Sequence, residues 1–535
     1  MKKTTIYLAA LAMIATACGK EDNIIPAGST DEKKMITETV KAIDGDCCTT
    51  RAVIDSNAKF SWAAGDQVAV HVSDGKYYTT DALVSGGSNK AEFTVTYTDG
   101  QSRDAFAVFP ASIVESGATN YGQSGKALDI TLPGSYTLDQ IKDTTVQCPM
   151  IATNTAGDSW AFKQICGLLR LTVNNIPKSA SYLKIDFDGK KVQGAFSIDS
   201  PVTPGSSVIK TCNTDGSDDI ITITGLDGSA TAYDINLPLP TGNYTFATVL
   251  AFDSNDKEII SVMFPIKGGN TYTAARAKGH KVTTILPGLF TINTDGKKVA
   301  FAPGNLQYKA SETTYKWRFA EHQIDYVGKW DTSNWVDLFG YGRYTGDTPD
   351  PLYTYSYYND YIWDDADFTK ESLLVDECQR GYDWRTLSGG PDGEWQYIFN
   401  TRSASPLGDQ SEARFFKANI NDIFCVILLP DSYTHPDGVA VPLGINLSNG
   451  RVNTVTDSDW AKMEAAGCVL LPAAGLRILT GVSYAGQKGY YHTSTPHNTD
   501  KEYARMLSFQ KGETKPEDYG FTYIGTAARL VRVVE

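Results

Sequence analysis

The chain has 535 residues, with 48 Lys and Arg against 62 Asp and Glu, a formal charge of −14. That length exceeds one hydrophobic core and implies two to four domains, and the acidic balance argues against nucleic acid as a partner. Forty-seven Gly, 29 Tyr and many Thr, Val and Ser residues point to strands broken by frequent turns.

The first apolar run is Ile6 to Ala17, preceded by Lys2 and Lys3. It is too short to span a bilayer, which takes about 20 residues. A cationic start, a short apolar stretch and small residues before a cut read as a signal peptide over 1–17. Cys18 follows Ala15-Thr16-Ala17, and Lys20-Glu21-Asp22 follows Cys18. The first pattern resembles the lipobox of bacterial lipoproteins, with Ala15 where Leu is preferred. The second resembles the acidic signal that sends Bacteroidetes lipoproteins to the outer face of the outer membrane. The resemblance implies lipidation at Cys18 and a lipid anchor, several acyl chains giving stable attachment. The other reading is a secreted protein cut near Ala17. Residues 18–50 are expected to form a lipidated tether and propeptide. Within it Met35 to Ile43 could pair as a strand, with Met35, Thr37, Thr39 and Lys41 alternating only weakly with Ile36, Glu38, Val40 and Ala42. Eight other cysteines show no disulfide framework in their spacing. Cys425 and Cys468 sit in or beside apolar runs and read as small core residues.

From Arg51 to Cys166 strands are expected at Val68–Val72, Ala91–Tyr97, Asp104–Phe109, Leu128–Leu132, Met150–Ala152 and Trp160–Phe162. Gly65-Asp66 and Asp99-Gly100 supply turns. Many short strands at this spacing imply a sandwich. Phe60-x-Trp62-x-x-Gly65-Asp66-x-Val68, Phe106-x-Val108-Phe109-Pro110 and Phe162–Leu171 resemble the N-terminal domain of Bacteroidetes fimbrillins and its join to a second domain. Gly194–Ile198 and Leu239–Tyr244 resemble recurrent strands of that second domain. The resemblance implies two transthyretin-like β-sandwiches, 51–166 and 167–287, and assembly with other fimbrillin subunits by donor-strand exchange. In that family a cut after an Arg removes the first strand; Arg51 and Ala52 fall where the cut would lie.

After Leu286-Pro287-Gly288 the composition shifts: seven of the nine Trp lie beyond this point. Trp317-Arg318-Phe319, Trp384-Arg385, Glu394-Trp395, Trp460, Leu471–Arg477 and Ala528–Arg532 resemble a repeated extracellular domain of Bacteroidetes and Fibrobacter surface proteins, distantly similar to C-type lectin-like and formylglycine-generating folds. An α+β C-type lectin-like domain over 288–535 is therefore expected, with short helices at Glu394–Arg402 and Asp459–Ala466. Trp317, Trp384, Trp395, Arg385 and Arg529 belong to its frame. Calcium-binding lectin triplets are absent, His492 and His497 are five apart with no carboxylate at a recognised ligand spacing, and Cys425 and Cys468, the only candidates for the reactive cysteine pair of formylglycine generation, both read as buried. No catalytic residue, metal or cofactor is expected.

Residues 341–368 concentrate aromatic and acidic side chains. Tyr344, Tyr353, Tyr355, Tyr357, Tyr358, Tyr361 and Trp363 offer stacking area, and Asp364 and Asp365 offer hydrogen-bond acceptors. They are the candidate contacts for a host or bacterial glycan or protein ligand. The sequence thus points to a mainly β, multidomain surface adhesin at a pilus tip. Its rivals are a permanently anchored outer-membrane glycan-binding lipoprotein and an enzyme on the lectin-like scaffold.

Overall fold

The computed structural model describes residues 34–44, 62–114, 128–142, 146–153, 159–198, 209–212, 218–268, 270–276, 278–342, 351–352, 378–379, 382–408, 410–443, 452–500 and 502–534. Cys18, Arg51, Ala52 and all nine candidate ligand contacts between Tyr344 and Asp365 lie outside the described residues. Most of the described chain is strand, and no described helix is long and apolar enough to cross a membrane.

The first block contributes nine strands: β1 (Met35–Asp44), β2 (Ala69–Val72), β3 (Tyr77–Thr79), β4 (Lys90–Thr98), β5 (Arg103–Phe109), β6 (Leu128–Leu132), β7 (Ser135–Thr137), β8 (Met150–Thr153) and β9 (Ser159–Gln164). Seven form one sheet, in the order β3-β2-β5-β8-β9-β1-β4. The sheet curls back on itself. The Asp81 amide donates to the Thr94 carbonyl of β4, and Tyr78 packs against Tyr97. Its core is an aromatic box: Trp62 meets Phe93, Phe109 and Phe162 edge-on at 5.1–5.3 Å. Gly65 turns the chain after Trp62 with φ +91°, a conformation that costs a residue with a Cβ.

The second block contributes β10 (Gly167–Asn174), β11 (Tyr182–Asp186), β12 (Gly194–Ile198), β13 (Ile209–Cys212), β14 (Ile220–Thr224), β15 (Tyr233–Leu239), β16 (Gly242–Tyr244), β17 (Phe246–Phe252), β18 (Glu258–Pro265), β19 (Tyr272–Ala274) and β20 (Gly279–Ile285). β15-β10-β20 and β18-β17-β11-β14-β7 are its main sheets. Leu183, Ile185, Val249 and Ile223 alternate inward and are fully buried.

Two segments depart from the sequence reading in what they join. Met35–Asp44, assigned to the tether with only a weak strand pattern, is a paired strand in the interior of the first sheet. Residues 128–137, expected within the first sandwich, pair with the second: β6 lies against β12, and β7 runs parallel to β14. Ile130 and Leu132 then share a buried cluster with Phe106, Val108, Phe196 and Ile198. The first and second blocks are stitched together rather than simply consecutive.

In the third block, Leu289–Thr291, Lys298–Phe301, Val531–Val534 and Trp384–Arg385 form one sheet in that order. A second holds Phe415–Ile420, Ile423–Leu428 and Val469–Pro472, and a third holds Gly489–Pro496, Tyr503–Gln510 and Glu513–Phe521. The helix Asp457–Ala465 starts on Thr456, whose hydroxyl accepts from the Asp459 amide at 3.1 Å. Residues 394–402, expected as a helix, make a short α turn and then a π turn over Tyr397–Thr401. The wider turn lets the buried Arg402 reach Asp431 at 2.9 Å. Cys425 and Cys468 are buried, as expected, and Trp317, Trp384 and Trp395 are core residues.

Candidate functional site: the slot filled by the first strand

β1 is rich in β-branched residues, which favour a pleated conformation. It is antiparallel to β4 from Met35 opposite Thr98 to Ile43 opposite Lys90, and parallel to β9 from Lys41 opposite Ser159 to Asp44 opposite Phe162. Among the described residues no other strand joins β4 to β9. Taking β1 away would leave two facing rows of unpaired backbone groups, an arrangement that captures another strand.

The side-chain period fixes what faces inward. Met35, Thr37, Thr39 and Lys41 are exposed, while Val40 and Ala42 are fully buried and Ile36 and Glu38 half-buried. The inward residues meet Phe93, Val95 and Tyr97 of β4 and Trp160 and Phe162 of β9, all buried. Burial of Val40 alone contributes about 1.5–3 kcal/mol. At the far end of β1 a groove of 730 Å³ opens to solvent, lined in part by Lys41, Ala42, Leu83, Val84 and Phe93.

Among the described side chains Glu38 is the one charge on this inward face. Its Oε2 lies 2.5 Å from Nε of Arg103. Arg103 also donates from Nη1 to the Thr39 carbonyl at 3.3 Å and places its guanidinium 6.0 Å from the Trp160 ring centre. Burial, followed by the neighbouring Glu38 carboxylate, pushes the Tyr97 hydroxyl up to about 12. Outside, Thr37 and Thr96 share a hydrogen bond at 3.0 Å, and Lys34 meets Asp99 at 3.6 Å. Sequence reading gave β1 only a weak strand pattern and missed its pairing of Glu38 with Arg103. The available signal was the run Ile36-x-Glu38-x-Val40-x-Ala42, interrupted by its acid.

In the third block the described residues around the 341–368 stretch are structural. Arg529 is buried and donates to Gln323 Oε1 and to the Leu470 and Asn305 oxygens. Arg385 grips Glu394 through two bonds of 2.7 Å. His492, weighed as a metal ligand, has Nε2 2.6 Å from the Phe339 carbonyl, and burial pulls its pKa down to about 4. Among the described residues no cluster of His, Cys, Asp and Glu could hold a metal ion. Asp337 is buried; its Oδ2 accepts from the Val327 amide at 2.7 Å, and burial pushes its carboxyl up to about 7.

One surface feature went unpredicted. His497, Tyr503, Tyr519, Phe521 and Tyr523 form a half-exposed aromatic cluster on the third sheet, with neighbouring ring centres 4.5–5.9 Å apart. Tyr519 is 53% exposed. The period-two spacing of 519 and 521 puts these two on one face of the strand Glu513–Phe521, and Tyr523 follows in the turn beyond it.

No family model matches the chain, and no curated protein matches it. Among solved structures it is similar to a candidate cell-adhesion protein from Bacteroides ovatus, at 13% identity over 47% of this chain and 92% of that one, with a TM-score of 0.30. It is also similar to a fimbrial assembly protein from Parabacteroides distasonis, at 11% identity, 50% and 95% coverage and a TM-score of 0.25. A tip fimbrial protein from Porphyromonas gingivalis, truncated at its C-terminus, gives 12%, 47% and 94%, with a TM-score of 0.21.

Proposed function

We propose that this chain is a cell-surface adhesion subunit that polymerises by strand exchange at a pilus tip. The observation that carries this reading is β1. It is an interior strand of its sheet, yet it reaches the rest of the fold only through residues 45–61, the connection that contains Arg51. A cut there would detach the strand from the chain and let a strand from a second subunit take its place between β4 and β9. Edge completion supplies the driving force, because the incoming strand satisfies the same ladder and buries the same aromatic floor.

The third block favours a tip over a shaft position. A shaft subunit offers a free strand to its neighbour. Here Val531–Val534 is paired on both sides, with Lys298–Phe301 and with Trp384–Arg385. The third block then presents the ligand. Tyr344, Tyr353, Tyr355, Tyr357, Tyr358, Tyr361, Trp363, Asp364 and Asp365 are proposed contacts by their chemistry, and the cluster around Tyr519 adds a second aromatic face. A glycan suits both, since sugar rings stack on aromatic side chains and their hydroxyls bond to carboxylates.

The second reading, a permanently anchored glycan-binding lipoprotein, takes β1 as a fixed strand. Intact mass and N-terminal sequence of the protein from fibre and outer-membrane fractions separate the two. A start at Ala52 in fibres supports exchange. A lipid-modified Cys18 in all material, with β1 still attached, overturns it in favour of the anchor.

A further inference from the structure

We infer that the slot between β4 and β9 selects its donor strand by charge as well as by shape, accepting a strand with an acid positioned to meet Arg103 and an alanine-sized residue four positions later. This rests on the strand exchange proposed above, with β1 as the template for what fits. Its inward residues are Ile36, Glu38, Val40 and Ala42.

The acid position is built from three sides. Arg103 Nε meets the Glu38 carboxylate at 2.5 Å, the Tyr97 ring beneath is fully buried, and Trp160 lies 6.0 Å from the guanidinium carbon. All three belong to strands that stay when β1 leaves, and the aromatic face keeps Arg103 near the slot. Arg103 makes a second bond, to the Thr39 carbonyl, which any donor backbone could supply. Charge selection is therefore separable from ladder formation. Arg103 and Glu38 keep 29% and 39% side-chain exposure, so water moderates the loss of a neutral donor, whereas a lysine there meets a like charge. The size limit comes from Ala42, which is fully buried opposite Trp160 of β9 and Ala91 of β4. A bulky side chain there would have to displace a packed indole. The partner is thus another subunit whose free strand reads apolar, acid, valine-sized, alanine-sized at alternate positions.

The test uses the full chain with a sequence-specific protease site inserted in 45–61, so that nicking is independent of Arg51. The nicked protein is incubated with an equimolar mixture of mass-labelled ten-residue peptides: the Met35–Asp44 sequence and its Glu38→Lys form. Incorporation is read by native mass spectrometry. The native peptide is expected to win by about tenfold, and the preference to shrink towards one in the Arg103→Gln protein. An Ala42→Trp peptide is expected to stay out. Equal entry of the native and Glu38→Lys peptides overturns charge selection while leaving strand exchange standing. Entry of neither overturns the exchange reading, and this inference with it. The peptide comparison on the unsubstituted protein decides the matter even if the Arg103 variant does not fold.

Discussion

The guanidinium of Arg532 donates from Nη2 to the carbonyl of Ser261, 271 residues earlier, while its flat face lies 4.1 Å from the Tyr382 ring centre. This contact ties the strand Val531–Val534 to β18 of the second block. Within the second block Asn175 donates to the Leu286 carbonyl at 2.7 Å, just before the third block begins. Arg532→Ala is expected to cost about 1–3 kcal/mol, the range for a buried charge-assisted bond. Differential scanning calorimetry should show the third block melting separately at lower temperature, with the sandwich transition little moved.

The inward and outward faces of β1 predict opposite sensitivities. Val40→Asp places a carboxylate among Phe93, Val95 and Trp160 and is expected to destabilise the first sandwich by more than about 3 kcal/mol. Thr39→Asp, one residue away on the exposed face, is expected to change stability by less than about 0.5 kcal/mol. Urea denaturation of the two variants checks this directly. Equal effects would mean that β1 is not held in this register.

Two buried groups of the third block give it an unusual pH profile. Asp337 has a folded pKa near 7, above its unfolded value, so the folded state holds more protons and stability falls as pH rises from about 4 to 7. His492 has a folded pKa near 4, below its unfolded value of about 6.5, so stability rises with pH over about 4 to 6.5. The two oppose each other up to about pH 6.5, and above that only the Asp337 loss continues. Denaturation across this range should show a plateau followed by a decline. Asp337→Asn, which keeps an acceptor for the Val327 amide, is expected to remove the decline and to stabilise the protein at pH 8 by about 1–3 kcal/mol.

The aromatic cluster on the third sheet separates binding from folding. Tyr519 is exposed, so Tyr519→Ala is expected to leave the melting temperature within about 2 °C while weakening capture of immobilised glycans by about fivefold or more. Tyr491→Phe serves as the contrast. It removes a buried hydroxyl that donates to the Pro472 carbonyl at 2.8 Å, and should lower stability without a selective effect on binding.

What the sequence determined by itself was local. Alternation from Ala91 to Tyr97 announced β4, Gly65 and Gly100 marked turns, and the buried tryptophans of the third block announced a frame, because period and backbone preference act over a few residues. What tertiary structure decided was partnership. The alternation of Leu128, Ile130 and Leu132 said that one face is buried, but not that the partner strand β12 belongs to the second block. β1 was obscured for a different reason. Its inward face carries an acid, which breaks the apolar period, and the arginine that makes the acid tolerable sits 65 residues downstream on β5. A charge inside a sheet is intelligible only with its partner in place, since its desolvation is offset by a residue that the chain's linear order keeps far away.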